Sequence, residues 1–253
     1  MTYPGGVLVL LPPSETKATG GNGAPLDLES MSHPGLTATR REIAEELSAL
    51  AADVPRSLEV LGLSERQAEE VRRNGELWDS PTAPALERYT GVLYDALDVG
   101  SLEATERKQA DSRLAVASAL FGLARGTDQI PAYRLSGGTS LPGLGTLRST
   151  WRPVLEPALA EADELIVDLR SSAYAALART PGAVEVRVLS EDASGKRKVV
   201  SHHNKSHKGR LARALAQSAR EPETVADVLE VAADAGLRVE QEGDRALCVL
   251  TSV

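Results

Sequence analysis

Cysteine is nearly absent from this chain: Cys248 is the only one in 253 residues. A single thiol excludes an internal disulfide and any zinc or iron–sulfur site built from several cysteines. Cys248 alternates with apolar neighbours in ALCVL, the pattern of a buried thiol rather than a reactive one. Aromatic residues are scarce too, at 3% of the chain. No apolar run approaches the ~20 residues that a membrane-spanning helix needs, so no membrane association is expected. The first residues, MTYPGGVLVLLPPSE, lack the basic segment and long apolar stretch of a secretion signal. These absences point to the cytoplasm. An excess of positive charge is also missing: the net charge is −8 and the pI about 5.2. Such an average field repels phosphates, so indiscriminate nucleic-acid binding is not expected, and any polyanion must be held by a local patch.

Against that background one basic stretch stands out, Val199–Arg213, VVSHHNKSHKGRLAR. It holds Lys205, Lys208, Arg210 and Arg213, together with His202, His203 and His207, and no acid. Asn204 is placed to cap a helix whose apolar face is Leu211, Ala214, Leu215 and Ala219. Cations in a first helical turn oppose the helix dipole, at about 0.3–1 kcal/mol each. Backbone N–H groups combined with cations make a site for phosphate or carboxylate, and the alternative is a solvated basic face.

The rest of the chain predicts a single α/β domain over residues 1–253, with a mixed central sheet and peripheral helices. Val7–Leu11 is a buried strand that ends at Pro12-Pro13. The polar loop Ser14-Glu15-Thr16-Lys17 follows, then Gly20-Gly21-Asn22-Gly23, with the spacing of neither a dinucleotide fingerprint nor a P-loop. Thr37–Ala51 is an amphipathic helix. Ser64–Gln67 is a capping box opening a helix that runs to Asn74. Glu103–Asp111 is a polar helix, and the type of Arg88–Tyr94 is ambiguous. Leu114–Leu123 reads as a strand running into a tight, small-residue turn, Ile130–Leu135 as a short strand, and Trp151–Ala162 as a helix with Pro153 in its first turn. Glu164–Leu169 is a buried strand. Val184–Leu189 and Lys198–Ser201 form a hairpin, Pro222–Ala235 a helix, and Leu237–Gln241 with Ala246–Leu250 a closing hairpin.

Polar residues recur just after the buried strands. Arg134 and Arg170 can fork around a phosphate or carboxylate. Tyr133 and Tyr174 can stack on a base or donate a hydrogen bond. Lys205 can hold an anion or move a proton. Glu15 and Asp168 are the carboxylates such a site would use. The expected catalytic residues are therefore Glu15, Ser171, Tyr174 and Lys205. The expected anion or nucleic-acid ligands are Ser14, Thr16, Lys17, Arg134, Arg170, Lys205, Lys208, Arg210 and Arg213. Each of these residues also has an ordinary structural alternative. The histidines lack metal-ligand spacing, so neither a metal nor another cofactor is expected.

Several motifs taken together resemble the YaaA family of peroxide-stress-resistance proteins: VLVLLPPSETK, RYTGVLYDAL (88–97), LFGLARGTDQIPAYRLSGG (120–138), LIVDLRSSAY (165–174) and VVSHHNKSHKGRLAR. They span nearly the whole chain. The chain departs from some members, which carry alanine-lysine-threonine at Ser14-Glu15-Thr16 and an acid at Ala173. The resemblance implies a cytoplasmic protein that limits oxidative damage to DNA. It also implies a DNA-binding α/β fold with a helix-hairpin-helix-like element near Leu114–Pro131. Two functions stay open: a stress protein that binds DNA through the basic helix, and an enzyme acting on a nucleotide, nucleobase or other small anionic substrate. The partner is accordingly DNA or a phosphate-bearing small molecule.

Overall fold

The computed structural model describes residues 5–199 and 204–252. Eight strands form the main sheet: β1 (Val7–Leu11), β2 (Leu114–Ser118), β3 (Gly122–Arg125), β4 (Leu165–Asp168), β5 (Val184–Glu191), β6 (Arg197–Val199), β7 (Val239–Gln241) and β8 (Ala246–Ser252). Their order is β7-β8-β5-β4-β1-β2-β3, and β6 pairs with β5. The strands β2, β1, β4, β5 and β8 run parallel, whereas β3, β6 and β7 are antiparallel additions. The sheet is thus mixed, in a single α/β domain.

The central strands are uninterrupted apolar runs because both of their faces are covered; every residue of β1 and β2 is buried. The main helices are α1 (Thr37–Leu50), α2 (Val54–Leu61), α3 (Ala68–Gly75), α4 (Val92–Leu97), α5 (Ala104–Arg113), α6 (Leu147–Ala160), α7 (Asn204–Gln217) and α8 (Val225–Asp234). They pack in two groups. Helix α7 lies against α4, α5 and α8, and α1 lies against α2, α3 and α6. Capping boxes start α5 at Glu103 and α8 at Thr224, and Ser64 opens the turn that leads into α3. Each box satisfies N–H groups that the helix itself leaves orphaned.

Leu114–Leu123 is a strand running into a tight turn, as expected, with β2 ending at Ser118 and Gly122, at a left-handed φ of 69°, starting β3 back along it. Four local expectations are corrected. Residues 114–131 hold a strand hairpin where the resemblance implied a helix-hairpin-helix-like element. Only Gln129–Ile130 of the segment expected as the strand Ile130–Leu135 pairs, with Ala83–Pro84. Helix α6 begins a turn earlier than expected, because the Thr146 hydroxyl accepts from the Ser149 N–H at 3.2 Å. Pro153 and Pro157 consequently sit inside the helix. Both are exposed, so the carbonyls that they leave unbonded face water. Asn204 is the first helical residue of α7 rather than its cap; Val200, Ser201, His202 and His203 lie outside the described residues.

Buried polar side chains join these layers. Arg40 of α1 donates from Nε to the Phe121 carbonyl at 3.0 Å and from Nη2 to the Leu123 carbonyl at 2.8 Å, pinning α1 to the β2–β3 hairpin. Trp151 of α6 donates its indole N–H to the Ala119 carbonyl of the same turn at 2.8 Å. In α7, Gly209 presses on α4: a Cβ there would stand 2.2 Å from the Leu93 carbonyl oxygen. We expect Gly209→Val to push α7 off α4 and cost about 1–3 kcal/mol of unfolding free energy, measured by urea titration.

Candidate ligand-binding site at the switch point of the sheet

From β1 the chain moves to β2 and β3 on one side, then returns to β4 on the other side of β1. The carboxyl ends of β1 and β4 therefore flank a topological switch point, where open α/β sheets bind ligands. A crevice of about 280 Å³ lies there. Pro12, Pro13 and Glu15 line it after β1, and Leu169, Ser171, Ala173 and Tyr174 after β4. The SGG turn contributes Ser136, and the start of α7 contributes Asn204, Lys205 and Lys208.

The structure sorts the sequence-derived residues into three groups. Glu15, Ser171, Tyr174 and Lys205 all line the crevice. Arg134 stands beside it, donating from Nη2 to the Glu15 carboxylate at 2.8 Å. Its backbone is clamped by the buried Asn74: Nδ2 donates to the Arg134 carbonyl, and Oδ1 accepts from the Arg134 N–H, both at 2.8 Å. The Tyr174 hydroxyl accepts from the Gly137 N–H at 3.2 Å, and burial raises its pKa, so it keeps its proton at neutral pH. Lys205 is exposed, and among the described residues it has no hydrogen-bond or ion-pair partner.

A second group is consumed by the fold. The Arg170 guanidinium grips Asp168 with both prongs, Nε to Oδ1 at 2.9 Å and Nη2 to Oδ2 at 2.7 Å. It also donates to the Ala178 carbonyl and the Thr180 hydroxyl, which leaves its fork closed to a ligand. Lys208 is buried, and its ammonium donates to the carbonyls of Leu169 at 2.9 Å and Arg170 at 3.2 Å. Desolvation lowers its pKa, with Asp168 acting the other way. Arg213 donates to the carbonyls of Leu97 and Asp98, both at 2.8 Å, and so caps the end of α4. Tyr133 is a core residue whose hydroxyl bonds to Tyr89 and Ser118, so it is not a stacking platform. Arg210 is exposed outside the crevice lining.

The third group is the loop after β1. Ser14 Oγ accepts from the Thr90 N–H at 3.1 Å, and the Thr16 hydroxyl accepts from that of Thr90 at 3.2 Å. Lys17 donates to the carbonyls of Ser14 at 3.0 Å and Glu15 at 3.3 Å. Its Nζ lies 4.2 Å from the Tyr133 ring centroid and 5.3 Å from that of Tyr89. Desolvation and the nearby Arg134 lower its pKa to about 7, opposed by Glu70 and Glu15, with Arg88 adding a further lowering. The sequence pattern pointed to Lys17 only as an anion or nucleic-acid ligand. Ser136, Asn74 and Asn204 were not foreseen as site-building residues, and only the turn signal SGG marked that region. Among the described residues, no group of three His, Cys, Asp or Glu side chains is arranged to hold a metal ion. No helix is long and apolar enough to cross a membrane among them.

The chain is an α/β protein with a parallel-core sheet and a polar crevice at its switch point, the place where open α/β sheets commonly hold ligands. The chain belongs to the family described as peroxide stress protein YaaA, whose model matches residues 7–242. It is 52% identical over 238 residues to a UPF0246 protein of Corynebacterium efficiens, covering 92% of this chain and 95% of the relative. A UPF0246 protein of Streptomyces coelicolor is 48% identical over 241 residues, covering 93% of each chain. One of Dinoroseobacter shibae is 34% identical over 208 residues, covering 72% of this chain and 75% of the relative.

Two measurements check this partition. Lys208→Met strips partners from two buried carbonyls, so we expect a loss of about 1–3 kcal/mol in unfolding free energy, whereas Lys205→Ala leaves stability unchanged. Lys17 binds a proton more weakly folded, at about 7, than unfolded, at its ordinary 10.5. The unfolded state then holds more protons between those values, so stability rises with pH in that window. We expect wild type to gain stability from pH 7 to 9 relative to Lys17→Met, with a slope of up to about 1.4 kcal/mol per pH unit. Thermal melts across pH measure it.

Proposed function

We propose that this peroxide stress family member works in the cytoplasm as an enzyme on a small anionic molecule. The substrate is a nucleotide, a nucleobase derivative or another phosphate- or carboxylate-bearing compound, and it binds in the crevice at the switch point. One observation carries this conclusion. Glu15, Ser171, Tyr174 and the unpartnered Lys205 line one concave site, while Arg170, Lys208 and Arg213, which a DNA-binding face would need, are tied to the protein's own acids and carbonyls.

In this arrangement Lys205 meets the anionic group, assisted by the N-terminal N–H groups of α7. The Tyr174 hydroxyl donates to an oxygen of the ligand, with its own oxygen held by the Gly137 N–H. Ser136 and Ser171 supply further hydroxyls around it. Glu15 is held by Arg134 at the mouth and is placed to take up a proton.

The rival partner is duplex DNA, and salt dependence separates the two. Each phosphate contact steepens the plot of log affinity against log salt by about 0.9. With only Lys205 and Arg210 free on α7, we expect DNA affinity to be weak, with a slope no steeper than about −2. A nucleoside monophosphate should bind with less salt dependence, and Lys205→Ala should weaken it about tenfold. Calorimetric titration at two salt concentrations decides. Tight DNA binding with a slope beyond about −5, unchanged by Lys205→Ala, overturns the crevice as the site of function.

A further inference from the structure

Two arginines beside the crevice each pair with a carboxylate, and the two pairs differ. The guanidinium of Arg170 is closed: it makes four hydrogen bonds, two to Asp168, one to the Ala178 carbonyl and one to the Thr180 hydroxyl. That of Arg134 is open. Among the described residues it makes one hydrogen bond, from Nη2 to Glu15 Oε2 at 2.8 Å, and its Nε and Nη1 make none. The side chains of Arg170 and Asp168 are 2% and 11% exposed, whereas Arg134 is 15% exposed and Glu15 74%.

The partners in the open pair are held unequally. Arg134 is fixed: Asn74 of α3, fully buried, bonds both its N–H and its carbonyl, and the preceding Tyr133 is tied into the core by its hydroxyl. Glu15 is fixed only through its backbone, where the carbonyl accepts from Lys17 at 3.3 Å. Among the described residues nothing but Arg134 restrains its carboxylate. When the pair opens, Glu15 is therefore the side that moves. Glu15 lines the crevice, so the Arg134 Nη2 that bonds to it faces the same space. Whatever takes the place of the Glu15 carboxylate meets Arg134. A single-point pair with one exposed partner holds by a factor of only about five.

We propose that Arg134 is a ligand-binding residue of the crevice, covered by Glu15, and that the group which displaces Glu15 is a phosphate monoester. The inference deepens the proposed function and rests on the crevice being an anion site. It narrows the substrate from phosphate- or carboxylate-bearing compounds to phosphate monoesters. Competition is the reason. Glu15 is tethered beside Arg134, so an incoming anion contends with a carboxylate at high effective concentration. A second carboxylate offers nothing that Glu15 lacks. A phosphate monoester carries up to two charges and three terminal oxygens. These can take Nη2 together with the free Nε or Nη1 as a fork, and leave an acceptor for Lys205. No covalent bond changes; one ion pair is exchanged for another. The exchange frees the Glu15 carboxylate, so the proton acceptor of the proposed function is released only once a ligand is seated.

Methyl phosphate and acetate are the probes, titrated calorimetrically into the full chain at roughly pH 8, where a monoester with a second pKa of about 6 is doubly charged. We expect Glu15→Gln, a change at an exposed side chain, to tighten methyl phosphate about fivefold, and Arg134→Gln to weaken it about tenfold. Adding Glu15→Gln to Arg134→Gln should then change nothing, because no fork is left to cover. Arg134→Lys keeps the charge but loses the fork, and should weaken methyl phosphate several-fold; it carries the test if Arg134→Gln folds poorly. Acetate should bind the wild type at least about tenfold more weakly than methyl phosphate. The inference is overturned by no gain from Glu15→Gln, or by an equal gain with Arg134 replaced, since removal of any acid would then act alike. Acetate binding as tightly as methyl phosphate overturns the selection of a phosphate. If methyl phosphate binds and Lys205→Ala weakens it, while both Arg134 variants bind as wild type does, the role of Arg134 fails and the anion site stands. If neither wild type nor Glu15→Gln binds either probe, the anion site itself fails, and this inference with it.

Discussion

The ammonium of Lys208, buried against the carbonyls of Leu169 and Arg170, is the contact on which the crevice depends. A strand that ends inside a protein leaves carbonyls with no ladder partner, and burying them unpaired costs about as much as a lost hydrogen bond. Lys208 supplies the donors from a different layer, so α7 is held at the end of β4. Gly209, the next residue, removes the side chain that would keep α7 from α4. Lys205 lies three residues before Lys208, on a neighbouring position of the same helix. Once Lys208 is committed to the strand end, Lys205 is carried to the rim. Arg170 folds back on Asp168 and stiffens the same corner, so Ser171 and Tyr174 are presented from a fixed turn.

Much of this fold was legible from local pattern. Uninterrupted apolar runs located β1 and β4, and the Ser64–Gln67 capping box located the entry to α3, because burial and capping are decided within a few residues of chain. The convergence of Glu15, Ser171, Tyr174 and Lys205 followed from placing polar groups after strands. The fate of the cations was not legible. Arg134, Arg170, Lys208 and Arg213 all look alike as basic residues near strand or helix ends, yet Arg170, Lys208 and Arg213 are spent on the scaffold's own carbonyls or acids, while Arg134 pairs with Glu15 at the crevice. Which carbonyls lack partners is a property of the assembled sheet. The tight turn after β2 was legible from its small residues, whereas the return strand β3 was not, because nothing local marks Gly122–Arg125 as pairing back on β2.

Scarcity of aromatics turns out to matter for chemistry as well as for the core. Among the described residues, Tyr89, Tyr94, Tyr133 and Tyr174 are not spread through the interior but gathered near the loop that follows β1. Buried hydroxyls must find partners, and here they bond to one another, to Ser118 and to Pro12. The result is a rigid wall under Lys17 with few acceptors left over, which accounts for an ammonium resting on ring faces rather than on a carboxylate.

The same reasoning bears on the scale of the ligand. The chain carries a net charge of −8, and interactions between exposed charges fade over about 8–10 Å at physiological salt. A polymer laid along the surface would meet the acidic average once it extended beyond Lys205 and Arg210. A molecule that fits inside the crevice meets Lys205, helix N–H groups and hydroxyls at contact distance, where screening is weakest. On the function proposed above, repulsion at long range and attraction at short range would favour a small anion over a long one, and a single exposed lysine would serve where a DNA-binding surface needs many.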